Sequence, residues 1–185
     1  MTKAPFNKNN ERATELLALV HTDVCGPFRT NARGGFSYFI TFTDDFSRYG
    51  FVYLMKHKSE SLEKFKEFQK EVENQLGRKI KVLQSDRGGE YLNHEFRNHL
   101  KECEIIPQWT PAGTPQWNGV SERRNRTLLD TVRSMMSHAE LSLTFWGYAL
   151  DTAAFTLNRV PTKTADKTPY EIWHGRVPNL SFLKI

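Results

Sequence analysis

The 185-residue chain has only two cysteines, Cys25 and Cys103, and they form no C-x-x-C pair. Its six histidines show no finger-type spacing with them, which argues against a structural zinc site. Both cysteines read as reduced thiols, packed at a strand end or in the core. No apolar run approaches the ~20 residues that cross a bilayer. The first residues, MTKAPFNKNNERAT, lack the apolar segment of a secretory signal. Repeats and low-complexity tracts are missing too, which excludes a solenoid or a disordered chain. These absences point to an intracellular protein with no membrane partner. Hydrophobic residues make up 38% and charged residues 25%, and the length suits one globular core better than two.

Charge is the first positive signal. The formal net charge is +5, compatible with a polyanionic partner. Arg123, Arg124, Arg126 and Arg133 cluster around the single acid Glu122, whereas residues 59–76 carry balanced Lys and Glu, the usual mark of a solvated helix face.

Pattern then sets an element order. LLALVHTDV (16–24) reads as a buried strand closed by Gly26-Pro27. FSYFITFTDD (36–45) and FVYLMK (51–56) follow as strands around a turn at Ser47–Gly50, which makes an antiparallel meander. Leu62, Phe65, Phe68, Val72 and Leu76 recur at helical spacing, with Ser59 or Ser61 as candidate cap and Gly77 as stop. IKVLQSD (80–86) returns to strand, Asn93 caps a helix over 94–103, and IIPQW (105–109) is a short strand. The Pro/Gly-rich loop 110–119 leads into a long helix over 120–138, and Thr144 opens another that runs to about 159. This order predicts an α/β fold: a five-stranded mixed sheet, meander plus parallel strands, flanked by helices. The first and fourth strands can then lie side by side, with Asp23 next to Asp86.

Three acids stand out in that frame. Asp23 and Asp86 close strands, and Glu122 opens the basic helix after 35 intervening residues. Carboxylates from two strand ends and one helix can hold two Mg²⁺ or Mn²⁺ ions, and such a pair drives phosphodiester chemistry. Taken singly, each has a plainer explanation. An Asp at a strand end is commonly a turn residue, as Asp44 and Asp45 illustrate, and a first-turn Glu answers the helix dipole. On the helix, Asn125 and Arg126 lie three and four residues beyond Glu122, so the three are expected on one face, with Leu128, Val132 and Met135 buried.

The words around the acids resemble a family. HTDVCGP, YFITFTDDFSRYGFVYLMKHKSE, IKVLQSDRGGEY, TPQWNGVSERRNRTLLDTVRSMM, FWGYALDTAAFTLNRVP and KTPYEIWHGRVP are similar, in order, to the catalytic core of copia-type retrotransposon integrases. That is a branch of the retroviral-integrase-like, RNase H-like superfamily. The resemblance implies an RNase H-like fold and names Asp23, Asp86 and Glu122 as metal-binding catalytic carboxylates for two Mg²⁺ or Mn²⁺ ions. It implies 3′-end processing and strand transfer of retroelement DNA into target DNA by a homo-oligomer acting in the nucleus. Asn118, Arg123, Asn125 and Arg126 fall at DNA-binding positions. Two positions depart from the pattern: Arg87 stands where Asn is usual, and Trp117 where Gln is usual. Residues 1–15 read as a polar lead-in, 16–160 as the integrase core and 161–185 as an extended C-terminal segment. The family's zinc-binding N-terminal segment and C-terminal DNA-binding region find no match, so the chain is expected to be a piece of a Pol polyprotein. Two other readings fit parts of the pattern: a catalytically silent nucleic-acid-binding relic or host-adopted interaction protein, and a nuclease of RNA:DNA hybrids.

Overall fold

The strand over Tyr38–Asp44 (β2) shows how the sheet is built. Its alternate side chains face opposite ways, yet Phe39, Ile40, Thr41, Phe42 and Thr43 are all buried. Both faces are therefore covered. In the computed structural model, which describes residues 12–110, 118–161 and 166–181, β2 lies between Val20–Cys25 (β1) and Gly50–Met55 (β3). Val82–Ser85 (β4) and Ile106–Trp109 (β5) complete a five-stranded sheet of order β3-β2-β1-β4-β5. The first three strands pair antiparallel, and β1–β4 and β4–β5 pair parallel. This is the mixed sheet expected from the element order.

Ser61–Leu76 (α1) covers one face. Its Phe65, Phe68 and Val72 pack with Ile40 and Phe42, and Phe68 stacks on Phe42 with ring centroids 4.5 Å apart. Gly89–Leu92 (α2) and His94–Glu102 (α3) extend this layer. Gly119–His138 (α4) and Trp146–Leu157 (α5) cover the other face, where Leu128, Val132, Trp146 and Leu150 enclose Phe39.

Several local expectations shift for physical reasons. β1 starts at Val20 rather than at 16, because the buried carboxylate of Asp44 accepts the Leu17 N–H at 2.8 Å and Leu17 adopts φ 63°, which breaks the strand before Val20. Neither Ser59 nor Ser61 caps α1: a 3₁₀ turn over 58–60 precedes it, and Glu60 accepts the His57 N–H at 3.0 Å. Gly77 does stop α1, in the left-handed region at φ 62°, and Asn93 does cap α3, accepting from Glu95 N and Phe96 N. Ser142, not Thr144, caps the 3₁₀ turn leading into α5.

The C-terminal segment differs most from an extended surface stretch. Pro169–His174 (α6) is a helix with Thr168 and Glu171 forming a reciprocal capping box. Its Trp173 is 3% exposed, stacks on Tyr49 at 5.2 Å, and donates from Nε1 to Gln75 of α1 at 3.2 Å. The segment thus closes the core beside the edge strand β3.

Candidate active site

β1 carries Asp23 on the face covered by α4. Its parallel register with β4 pairs Val20 with Leu83 and His21 with Gln84. Carried two residues further, that offset sets Asp23 beside Asp86, which follows the last residue of β4. The Asp86 carboxylate accepts the Gly88 N–H at 2.9 Å, which holds the turn leaving the strand. Glu122 is exposed in the first turn of α4.

A polar chain ties helix to sheet at this point. Thr41, the β2 partner of Asp23, donates from its hydroxyl to Asn125 Oδ1 at 3.0 Å, and Asn125 Nδ2 donates to Asp23 Oδ2 at 2.9 Å. Burial pushes the Asp23 carboxyl up to about 7, and the charges of Asp86 and Glu122 push the same way, with the Asn125 hydrogen bond opposing them. Asp23 therefore feels the charge of both other acids. Among the described residues, no three His, Cys, Asp or Glu side chains close into a cage around one ion. The donor set nevertheless suits a hard divalent cation, being all carboxylate oxygen and electrostatically crowded. Burial and then the Asp23 charge raise the neighbouring Cys25 thiol to about 11, so it stays protonated and is no nucleophile.

The expected DNA-binding residues separate into two groups. Ser121, Asn125, Leu128 and Val132 form the buried stripe of α4, so Asn125 faces the sheet rather than sharing an exposed face with Glu122 and Arg126. Spacings of four, three and four residues put these side chains on one line against β1 and β2. Asn118 is also buried, at 3% exposure. Arg123 and Arg126 are exposed, and Arg123 donates from Nε to Gly119 O at 2.9 Å. Residues 111–117, including Trp117 and most of the Pro/Gly-rich loop, lie outside the described residues.

Two supporting groups escape sequence reasoning. Arg124 looks like one more member of a basic cluster, yet its guanidinium turns inward over Gly50 and donates to Asn158 Oδ1 at 2.7 Å. Asn158, at the end of α5, also accepts the Gly50 N–H at 2.9 Å and donates to Gly50 O at 2.8 Å. A Cβ on Gly50 would sit 2.7 Å from the guanidinium, so this close approach requires glycine. The buried Nε of Arg124 has no partner among the described residues, and burial lowers Arg124 to about 10. Nothing in the spacing of these residues signals the node. Asn158→Ala removes three hydrogen bonds and strands a desolvated cation. It is expected to cost about 2–3 kcal/mol, which thermal unfolding would show as a fall of roughly 4–10 °C.

The second group explains the adjacent acids Asp44 and Asp45. Asp44 accepts from Leu17 N, Ser47 N and Ser47 Oγ, and is a turn residue. Asp45 meets His21 Nε2 at 2.9 Å, Arg48 at 2.8 Å and Ala13 N at 2.8 Å. Burial raises the Asp45 carboxyl, but the hydrogen bonds from His21 and Ala13 and the charge of Arg48 outweigh it, for a net value of about 2. A depressed folded value stabilises the protein above the unfolded value near 3.9 and ceases to as pH falls towards 2. Asp45→Asn is therefore expected to lose about 2 kcal/mol at pH 7 and to flatten acid unfolding between about pH 4 and 2. Urea titrations across that range check it.

Strand order 3-2-1-4-5, three antiparallel strands followed by two parallel ones with helices on both faces, defines an RNase H-like fold. Solved structures agree. The chain matches a chain of a simian T-cell lymphotropic virus intasome solved in complex with the PP2A regulatory subunit B56 gamma, with TM-score 0.73 and 18% identity, over 95% of this chain and 62% of that one. It matches the HTLV-2 integrase catalytic core in complex with magnesium, in its trimeric form, with TM-score 0.66 and 19% identity, over 88% of this chain and all of that one. The integrase core domain profile matches residues 13–115. Among curated relatives, the retrovirus-related Pol polyprotein from transposon TNT 1-94 of Nicotiana tabacum is 42% identical over 99% of this chain. That from transposon RE2 of Arabidopsis thaliana is 32% identical over 99%. The chain spans 14% and 12% of those two polyproteins. It belongs to the integrase core domain family, among the Pol polyproteins of copia-type retrotransposons.

Proposed function

We propose that this domain carries out the DNA-integration chemistry of a retroelement, 3′-end processing followed by strand transfer. Asp23, Asp86 and Glu122 serve as its metal-binding catalytic carboxylates. The observation that supports this most is the crowding of negative charge on Asp23 by Asp86 and Glu122, in a position tied down by Thr41 and Asn125. Two bound Mg²⁺ or Mn²⁺ ions supply an activated attacking oxygen and a stabilised leaving oxygen.

The protein's own residues do the rest. Asn125 orients the Asp23 carboxylate through Oδ2, and Thr41 fixes the amide so that its NH₂ faces the acid. The Arg124–Asn158–Gly50 node pins the second turn of α4, two residues beyond Glu122, over the start of β3. Arg123 and Arg126 present charge to DNA phosphates, contacts that set register rather than read bases. Asn118 and Asn125 are the buried amides beneath that DNA. The partners are retroelement ends and target DNA, met in the nucleus by a homo-oligomer. The magnesium complex and the dimeric and trimeric forms named for the HTLV-2 core support the cation and the oligomer.

Substrate choice tests the reaction class. Given Mn²⁺, the protein is expected to rejoin or cleave a branched DNA that mimics the strand-transfer product, and to leave an RNA:DNA hybrid intact. Cleavage of the hybrid alone would assign an RNase H-type nuclease. Binding of both substrates with no product from either would assign a silent nucleic-acid-binding protein.

A further inference from the structure

The balanced charge of α1 is sorted in space. Lys66, Lys70, Glu73 and Gly77 recur at four, three and four residues and so share one line along the helix, while Glu63, Glu67 and Glu71 occupy the neighbouring stripe. Gly77, at φ 62°, then turns the chain so that Arg78 and Lys79 border the same line, and His99 of α3 closes the far side. Together they line a cleft of about 640 Å³.

The floor of the cleft is fixed. Glu73 accepts from Gln69 Nε2 at 3.3 Å, from Ile80 N at 3.1 Å and from Lys79 Nζ at 2.7 Å. Gln69, 8% exposed, lies 2.8 Å from His99 Nε2 through its Oε1. The cation heads point outward. Lys79 is 80% exposed on its side chain, and Arg78 meets the exposed Glu15 at 3.2 Å, a pairing worth little in water. Four cations against the carboxylates of Glu73 and Glu15 leave a formal surplus of two at one cleft of a chain whose net charge is +5.

The position of the cleft decides its use. α1 and α4 cover opposite faces of the sheet, so the cleft lies on the face away from the helix that carries Glu122. Lys66 and Lys70 are separated by about 6 Å along the helix axis, so each ammonium can meet a phosphate of its own. We propose that this cleft is a second nucleic-acid contact, taking consecutive backbone phosphates of a duplex segment distinct from the strand at the acids. The proposal rests on the reading of DNA as substrate and extends it to the far face of the domain.

Salt dependence of binding tests it. Affinity for a labelled duplex of about 30 base pairs is measured by fluorescence anisotropy in EDTA, between about 50 and 200 mM KCl. Each neutralised phosphate contributes about 0.9 to the slope of log K against log salt. The double variant Lys66→Ala/Lys70→Ala is expected to lower that slope by about 1.8, and Lys66→Arg/Lys70→Arg to preserve it. The charge-matched control Lys56→Ala/Lys101→Ala is expected to leave it near wild type. An unchanged slope in the Lys66→Ala/Lys70→Ala variant overturns the proposal, as does an equal fall in the control, which would show a diffuse field. Inorganic tripolyphosphate that binds as tightly as the duplex, with its binding lost in the double variant, would also overturn it and reassign the cleft to small polyphosphates. A wild-type protein that binds duplex but processes no DNA sinks the reading of the acids and leaves the slope comparison intact.

Discussion

Glu122→Gln is expected to abolish Mn²⁺- or Mg²⁺-dependent processing of branched DNA while leaving the fold and DNA binding in place. The carboxylate is exposed on the first turn of α4, and a neutral isostere at a surface position typically shifts stability by no more than about 0.5 kcal/mol. Its loss removes one of the three acids proposed to share a cation site, and metal stabilisation of a developing oxyanion is worth several kcal/mol. At 1.36 kcal/mol per decade, a loss of about 4 kcal/mol lowers the rate roughly 1000-fold. The variant's melting temperature and duplex affinity should track wild type. A fall in stability as large as the fall in rate would show instead that Glu122 holds α4 in place.

Asp23→Asn should do something less intuitive: stabilise the metal-free protein while removing its activity. The Asp23 carboxyl is raised to about 7, first by burial and then by Asp86 and Glu122. Between about pH 4 and 7 the unfolded chain has released this proton and the folded chain still holds it. Wild-type stability therefore falls as pH rises through that window, then levels off. The full linkage is about 4 kcal/mol, and partial solvent access reduces it to about 2–4 kcal/mol. Asn keeps an oxygen for the Asn125 Nδ2 bond and carries no charge, so the variant should match wild type near pH 4 and exceed it by that margin at pH 8 in EDTA. Urea unfolding at the two pH values checks it. Adding Mn²⁺ should narrow the gap, because a ligand that binds only the folded wild-type protein stabilises it. A variant less stable than wild type at pH 8 would mean that Asp23 is held as a structural carboxylate.

The architecture was largely legible because it rests on periodicity. The aromatic and β-branched enrichment of 36–45 marks a strand and the 3–4 spacing of Leu62, Phe65, Phe68, Val72 and Leu76 marks a helix stripe, and β2 and α1 form there. The adjacency of Asp23 and Asp86 was also legible, since a meander followed by a helical crossover places the first and fourth strands side by side. Boundaries failed where a side chain competed with the ladder. Leu16–Leu19 has the composition of a strand, but Asp44 takes the Leu17 N–H and ends the extended run. Thr168-Pro169-Tyr170-Glu171 carries a capping-box pattern that announces α6, yet three prolines in the same stretch made an extended chain the simpler expectation.

Within the site, residue type was readable and direction was not. Asn125 and Arg126 are neighbours in sequence, and only the burial of Ser121, Leu128 and Val132 sends the asparagine to Asp23 and the arginine outward. Arg124 has no distinguishing context at all. Its inward turn depends on Gly50 and Asn158, 74 residues before it and 34 after.

The central claim is that Asp23, Asp86 and Glu122 form one metal-dependent phosphodiester centre. Its most direct test is the single-turnover rate on branched DNA as a function of Mn²⁺ concentration, for wild type and Glu122→Gln. The expected result is a wild-type rate that rises with Mn²⁺ and saturates, and a variant rate that stays at background throughout. A variant that follows the wild-type curve, or a wild-type rate that is the same in EDTA, would contradict it.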